Sequence, residues 1–309
     1  MRGAIGDLSR GPVMAPFFCE EAELNWTLIV NPRSGRGQRS ALRAAARVDA
    51  EIVRSGSNVR TVFTEFRGHA GELAREATQR GEGVIVCGGD GSLHEVVNGV
   101  DLDALTLGIV PTGRGNDFAR ALGVPPDART AARRIAEGQT RKVDVGLVGD
   151  VRFLTVACAG LDARVAMKPR ARALGRLGYR MGALAEIARG LGPLQDVEID
   201  EDRAEGALIA AFANGGSYGG GLPIAPGADL TDGRLDVCVV RSVGSWDAVR
   251  LFGKVARGAH VDHESVRMFR AKTGAFAAPG GRPVVADGEL VGRTPVALEV
   301  IPGAVKVVI

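Results

Sequence analysis

The sequence predicts an α/β domain built on a parallel sheet, followed by a mostly antiparallel β domain. Three observations carry this. Strand-like and helix-like segments alternate up to about residue 145, the pattern of a parallel sheet covered by helices on both faces. Three of the four strand-like runs in that half end in glycine loops rich in Arg, Asn and Asp. After residue 146 short β-like runs bounded by Gly or Pro take over, as in an antiparallel sheet.

Taken in order, residues 1–25 read as a loose N-terminal extension without the long apolar core of a signal peptide. WTLIVNP (26–32) is a strand running into an Asn-Pro turn. QRSALRAAARVDAEIVRSG (38–56) is a helix that stops near Gly56. VRTVFTE (59–65) is a second strand, and HAGELAREATQRG (69–81) a second helix. GVIVCGG (83–89) is wholly apolar, as a strand buried on both faces must be. A third helix is expected to begin at Ser92, and LTLGIVPTG (105–113) is the fourth strand. The domain boundary falls near 145, after KVDVGLV (142–148) starts, giving an α/β unit over 26–145 and a β unit over 146–309. Helices at 163–191 and 245–258 interrupt the β-like runs. The two units should face each other across a cleft.

Composition narrows the class. The chain has 309 residues, enough for a sizeable core, and a net charge of +3. That charge is too mild for a nucleic-acid partner but suits a protein that binds phosphates or visits an acidic surface. Cys19, Cys87, Cys158 and Cys238 are far apart with no Cys-x-x-Cys pattern, so neither a disulfide framework nor a zinc site is indicated. A reducing, cytoplasmic setting follows. No run approaches the ~20 apolar residues of a membrane span.

The chemistry concentrates in the glycine loops. In CGGDGSLHEVVNG (87–99) an apolar strand meets Gly88, Gly89, Asp90 and Gly91, and Ser92 with Glu95 has the capping-box spacing. Glycines there permit positive φ, and backbone N–H groups at the helix start can face an anion. A tight turn with one Asp explains this tetrapeptide equally well. Two further loops, NPRSGRG (31–37) and PTGRGNDFAR (111–120), end neighbouring strands. Parallel strands present such ends along one edge, where ligands bind, so a composite phosphate site outweighs three separate turns. Neither G-x-x-x-x-G-K-[ST] nor a full G-x-G-x-x-G occurs.

These three loops resemble the successive motifs of the diacylglycerol kinase catalytic-domain family, which includes bacterial lipid kinases and the sphingosine and ceramide kinases. NGGSYGGGLPIAPGADLTDGRLDV (214–237) and ADGE (286–289) resemble later motifs of the same family. The resemblance implies a phosphofructokinase/NAD kinase-like α/β domain that binds ATP and a β-sandwich domain that binds lipid. It implies Mg²⁺-dependent transfer of the γ-phosphate to a lipid hydroxyl, most simply that of diacylglycerol. By resemblance, Asn31, Pro32, Ser34, Gly35 and Thr64 border the nucleotide. Gly88, Gly89, Asp90, Gly91, Ser92 and His94 wrap the phosphates, with Asp90 close to the transferred phosphate and its Mg²⁺. Gly113, Arg114 and Asn116 complete that side, although many family members carry Thr where Arg114 stands. Glu289 or Asp287 takes the proton from the lipid hydroxyl; both would share one face of a strand. The resemblance also implies a structural Mg²⁺ held by Asp232 with groups at Asp229 and Arg234, joined through water to Asp117 and Asp144.

Other readings were weighed on the residues. NAD kinase also carries Gly-Gly-Asp-Gly, so a soluble-metabolite kinase is the first alternative, and a catalytically inactive lipid or nucleotide sensor the second. His260 and His263 lack a third ligand nearby in sequence and read as surface or loop histidines. KPRARALGRLGYRMGALAEIARG (168–190) interleaves arginines with Leu174, Leu177, Tyr179 and Met181. It reads either as a basic face for peripheral contact with an anionic inner membrane or as an ordinary solvated helix. Sheet-edge pairing would suit a homodimer.

Overall fold

The computed structural model describes residues 25–309 except Arg36, residues 169–174, Leu191 and Pro193. The expected N-terminal extension, Arg170, Arg172 and Leu174 therefore lie outside the described residues.

Strands β1 (Trp26–Val30), β2 (Val59–Phe63), β3 (Gly83–Gly88) and β4 (Thr106–Pro111) form a parallel sheet in the order β2-β1-β3-β4. β1 and β3 are buried along their whole length, which is why their sequences are continuous apolar runs rather than alternating ones. Period-two geometry sends their side chains to opposite faces. Leu28, Val30 and Ile85 pack with Val48 and Ile52 of α1 (Gln38–Arg54) and Ile135 of α5 (Ala128–Glu137). Ile29, Val84 and Val86 pack with Ala74 of α2 (His69–Gln79) and Val96 and Val97 of α3 (Asp90–Gly99). Each such buried aliphatic side chain contributes about 1.5–3 kcal/mol. A short α4 (Asp117–Ala121) follows the third glycine loop.

The rest of the chain is antiparallel. It runs through β5 (Thr140–Val148), β6 (Val151–Phe153), β7 (Val156–Gly160), α6 (Leu161–Ala166), α7 (Gly175–Ala188), β8 (Gln195–Ile199) and β9 (Asp202–Ala213). Then come β10 (Leu235–Arg241), α8 (Ser245–Val255), β11 (Val266–Ala271), β12 (Thr273–Phe276), β13 (Pro283–Ala286), β14 (Glu289–Arg293) and β15 (Val296–Val308). One face of β7, β9 and β10 presents Cys158, Ala211 and Cys238 to Tyr179 and Ala183 of α7 and Leu251 and Val255 of α8. The other face presents Ala157, Phe212 and Val237 to Phe153, Phe276 and Leu298, with Phe212 and Phe276 edge-to-face at 5.3 Å. This is the sandwich half.

β15 joins the halves. It runs antiparallel to β12 and β5, and its end pairs parallel with β4 through Lys306 and Val307. The sequence reads VALEVI and VKVVI as separate runs; they are one strand, with a shift in register between Ile301 and Val305. Pro302 cannot donate to the ladder, and Gly303 takes a φ of +56° there.

Three expectations need correction. The third helix starts at Asp90, with extended Gly89 before it and no side-chain cap, so Ser92 and Glu95 do not form a capping box. Ser92 Oγ instead accepts from Asn31 Nδ2, and Glu95 accepts from the Ala70 N–H. The helix expected over 163–191 is α6 and α7, described as separate elements. His260 is fully buried and hydrogen-bonded to the Ile224 carbonyl at 2.9 Å, a core histidine rather than a surface one.

Candidate active site

A cleft of about 510 Å³ lies at the C-terminal ends of β1, β3 and β4. One wall is made of Asn31, Ser34, Gly35, Gly89, Asp90, Gly91, Ser92, Gly113 and Arg114. The facing wall comes from the sandwich half: Thr155, Val156, Cys158, Ala166, Tyr179, Tyr218, Val285, Asp287 and Glu289. A larger hollow of about 740 Å³ between Arg75, Asn98, Asp101 and Arg152 contains none of the expected site residues. The smaller cleft is the candidate because functional groups from distant segments converge on it.

The glycines bring the loop backbones together. A Cβ on Gly35, which has a φ of +59°, would stand 1.9 Å from the Thr112 carbonyl oxygen. One on Gly113 would stand 2.5 Å from the Gly89 Cα. Side chains lock this arrangement: Ser34 Oγ to Thr112 Oγ1 at 2.8 Å, and Asn31 Nδ2 to Ser92 Oγ at 3.1 Å. Asn116, itself left-handed, donates to the Gly113 carbonyl at 2.9 Å, while its Oδ1 is buried without a partner. The narrow glycine-walled cradle leaves room for phosphate groups, while the unsatisfied Asn116 Oδ1 calls for a donor or a cation rather than a phosphate oxygen. Thr64 ends β2 with its N–H on the Val30 carbonyl, beside this wall; neither it nor Pro32 is among the cleft-lining residues.

The carboxylates divide the work. Asp90 is half-buried and accepts from the Phe118 N–H at 3.2 Å. Burial, then the neighbouring Asp117, pushes its carboxyl up to about 6. Asp117 accepts from Arg120 at 2.6 Å, Ser217 Oγ at 3.2 Å and the Gly220 N–H at 2.8 Å. It thereby ties the first half of the chain to the 217–220 loop. Two neighbouring carboxylates, one held above its ordinary range by burial and by the other, are a donor set that suits a divalent cation.

Asp287 and Glu289 do not share a strand face. Asp287 and Gly288, with φ of +50° and +82°, form the two-residue turn between β13 and β14, as an Asp-Gly pair favours. The Asp287 carboxylate is held by the N–H groups of Leu154 and Thr155 at 2.9 and 2.8 Å and by Thr155 Oγ1 at 2.6 Å. His94 Nδ1 lies 3.2 Å from it. Burial works against charge on His94, but Asp287, Glu289 and Glu95 outweigh it and hold the ring above its ordinary value. Glu289 is partly exposed and paired with Arg67 at 2.6 Å. Arg67 and Thr155 escaped sequence analysis, since partners 222 and 132 residues away leave no local trace.

The residues expected around a structural metal, Asp232 with groups at Asp229 and Arg234 and, through water, Asp117 and Asp144, divide between two places. Asp117 stands in the cleft. The Asp144 carboxylate accepts from the N–H groups of Gly233 and Gly303, each at 2.7 Å, and the Asp144 N–H donates to the Leu230 carbonyl. Asp229 is taken by the N–H and hydroxyl of Thr231, and Asp232 by the Arg234 N–H and the Arg270 guanidinium. Among the described residues no three His, Cys, Asp or Glu side chains are grouped to hold a metal. In this structure the 229–234 loop is fixed by hydrogen bonds and one ion pair.

Comparison with known proteins follows this geometry. Residues 25–148 match the model of the diacylglycerol kinase catalytic domain, and residues 155–309 that of the YegS C-terminal NAD kinase beta sandwich-like domain. The chain is 34% identical over 295 residues to a diacylglycerol kinase of Mycobacterium tuberculosis, covering 91% of this chain and 94% of that one. It is 31% identical to a diacylglycerol kinase of Bacillus subtilis, covering 87% and 90%. A crystal structure of a diacylglycerol kinase from Bacillus anthracis, named there as a putative one, superposes with a TM-score of 0.80 at 26% identity, covering 94% and 98%. Agreement along nearly the whole length, from the glycine loops to the Asp287 turn, makes this chain a member of the diacylglycerol kinase catalytic-domain family and a lipid kinase.

Proposed function

We propose that the protein transfers the γ-phosphate of ATP to the free hydroxyl of diacylglycerol, giving phosphatidic acid, at the inner membrane surface reached from the cytoplasm. One observation carries this reading. The glycine cradle and Glu289 face each other across a single cleft whose Glu289 side also carries the apolar Val156, Ala166 and Val285. A phosphate donor on one wall and an apolar molecule with one hydroxyl on the other would meet there. On this reading residues 26–145 take the nucleotide and 146–309 the lipid.

The loops around Gly35, Gly89 and Gly113 would orient the triphosphate and exclude water. Mg²⁺ held by Asp90 and Asp117 would neutralise charge on the phosphate oxygens. The acceptor oxygen attacks the γ-phosphorus, the bond from that phosphorus to ADP breaks, and the hydroxyl proton passes to Glu289. Asp287 is already saturated by four donor contacts and acts by holding the turn and His94. Arg67 orients Glu289.

The test is transfer of labelled phosphate from ATP to diacylglycerol in mixed micelles, with and without Mg²⁺. Glu289→Gln should lower kcat by roughly 10²-fold or more with unchanged circular dichroism. Wild-type rates in that variant, or phosphorylation of NAD in place of any lipid, would overturn the reading.

A further inference from the structure

Helix α7 is apolar on both sides. Its inner face, Tyr179, Ala183 and Ile187, is buried. Its outer face carries Leu177, Met181, Leu184 and Ala188, at spacings of four, three and four residues. Leu177 and Met181 are 63% and 58% exposed. A solvated helix places polar residues there. α8 lies beside it: Ala183 and Ile187 of α7 and Ala248, Leu251 and Val255 of α8 enclose the same small apolar cavity of about 30 Å³. Their opposite faces therefore point the same way, and α8 adds Trp246, 82% exposed, with Val249, Arg250 and Lys254. The basic stretch of the sequence thus carries an apolar outer stripe on α7, its cations Lys168 and Arg189 pair with Glu186, and further cations stand on α8.

We infer that the outer faces of α7 and α8 form the surface by which the protein docks on an anionic lipid bilayer, with Leu177, Met181, Leu184 and Trp246 entering the headgroup layer. Trp246 stands beside Lys254 and beside Arg250, which lies 3.5 Å from Asp247; Trp with Arg and Lys is the composition of an interfacial anchor, and the cations match anionic headgroups. The same helix also borders the catalytic cleft, which Tyr179 on its opposite face lines. The choice of a bilayer over a second copy of the chain rests on the lipid-kinase reading.

The chain has two tryptophans, and Trp26 is only 4% exposed, so quenching by lipid reports on Trp246. With the full chain and vesicles of phosphatidylglycerol and phosphatidylcholine carrying brominated acyl chains, Trp246 fluorescence should shift to the blue and be quenched. Leu177→Glu with Met181→Glu should weaken vesicle binding by roughly tenfold or more. Arg250→Glu with Lys254→Glu should lower binding to anionic vesicles by roughly tenfold and leave phosphatidylcholine vesicles unaffected. Phosphorylation of a water-soluble short-chain diacylglycerol should remain at the wild-type rate in both variants, which separates lost docking from lost folding. Absence of quenching with full binding by the Leu177/Met181 variant would overturn the surface. So would a dimer in sedimentation that the same variant abolishes. If no lipid is phosphorylated but quenching persists, the substrate reading fails and the docking surface stands.

Discussion

At the scale of single residues, Asp90 is a carboxylate whose surroundings work against its charge. Burial and Asp117 raise its carboxyl to about 6 from an ordinary 3.8. An acid raised in the folded state holds its proton more tightly there. Stability therefore falls as pH rises from about 4 to about 6, and the loss is complete above. Asp90→Asn should raise the melting temperature at pH 7.5, by an amount worth up to about 3 kcal/mol, and leave it unchanged at pH 3.5. Added Mg²⁺ should stabilise the wild type at pH 7.5 and not the variant. Arg67 poses a different question, since an exposed ion pair adds little to stability. Arg67→Ala should leave the melting temperature within about 0.5 kcal/mol of wild type while lowering kcat more than it changes KM for ATP. An unaltered kcat would show that Glu289 needs no orienting partner.

At the scale of elements, the glycine loops are where local sequence was most informative. Gly35 has left-handed backbone and no room for a Cβ against Thr112. Gly35→Ala should therefore cost about 1–3 kcal/mol and raise KM for ATP, as read by calorimetry and initial rates. Consecutive residues carry such requirements, so the strand ends were legible from sequence alone. Helix starts were less so. Ser92 and Glu95 have capping-box spacing, yet tertiary partners, Asn31 and Ala70, claim both side chains. The Asp287-Gly288 turn shows the same competition: a known hairpin dipeptide was read as strand because the flanking residues are apolar. α5 leaves little signal in the sequence between residues 122 and 139, because its Arg-rich surface conceals a narrow Ala and Ile stripe.

At the scale of the whole molecule, β15 makes two sequence regions into one sheet. Its end pairs with β4 while its start pairs with β12, and Asp144 pins its bend to the 229–234 loop. Truncation after Pro295 should therefore destabilise the α/β half as well as the sandwich, leaving no cooperative transition in either far- or near-ultraviolet circular dichroism. A residual native-like melt of the first half would show that it folds without β15. The cleft itself exists only at this scale, because its lining runs from Asn31 in the first strand's loop to Glu289 near the end of the chain.

The sequence by itself determined the strand-helix alternation, the three glycine loops at one sheet edge and the later acidic motifs. Each depends on the backbone freedom, burial or charge of consecutive residues. Only the tertiary structure decided that Asp287 is saturated while Glu289 meets Arg67 at the cleft. It also decided that Asp117 stands with Asp90 rather than near Asp232, and that the outward face of α7 is apolar. Those outcomes depend on which distant donor arrives first at a carboxylate and which helix face the sheet covers, and no local pattern of residues encodes either.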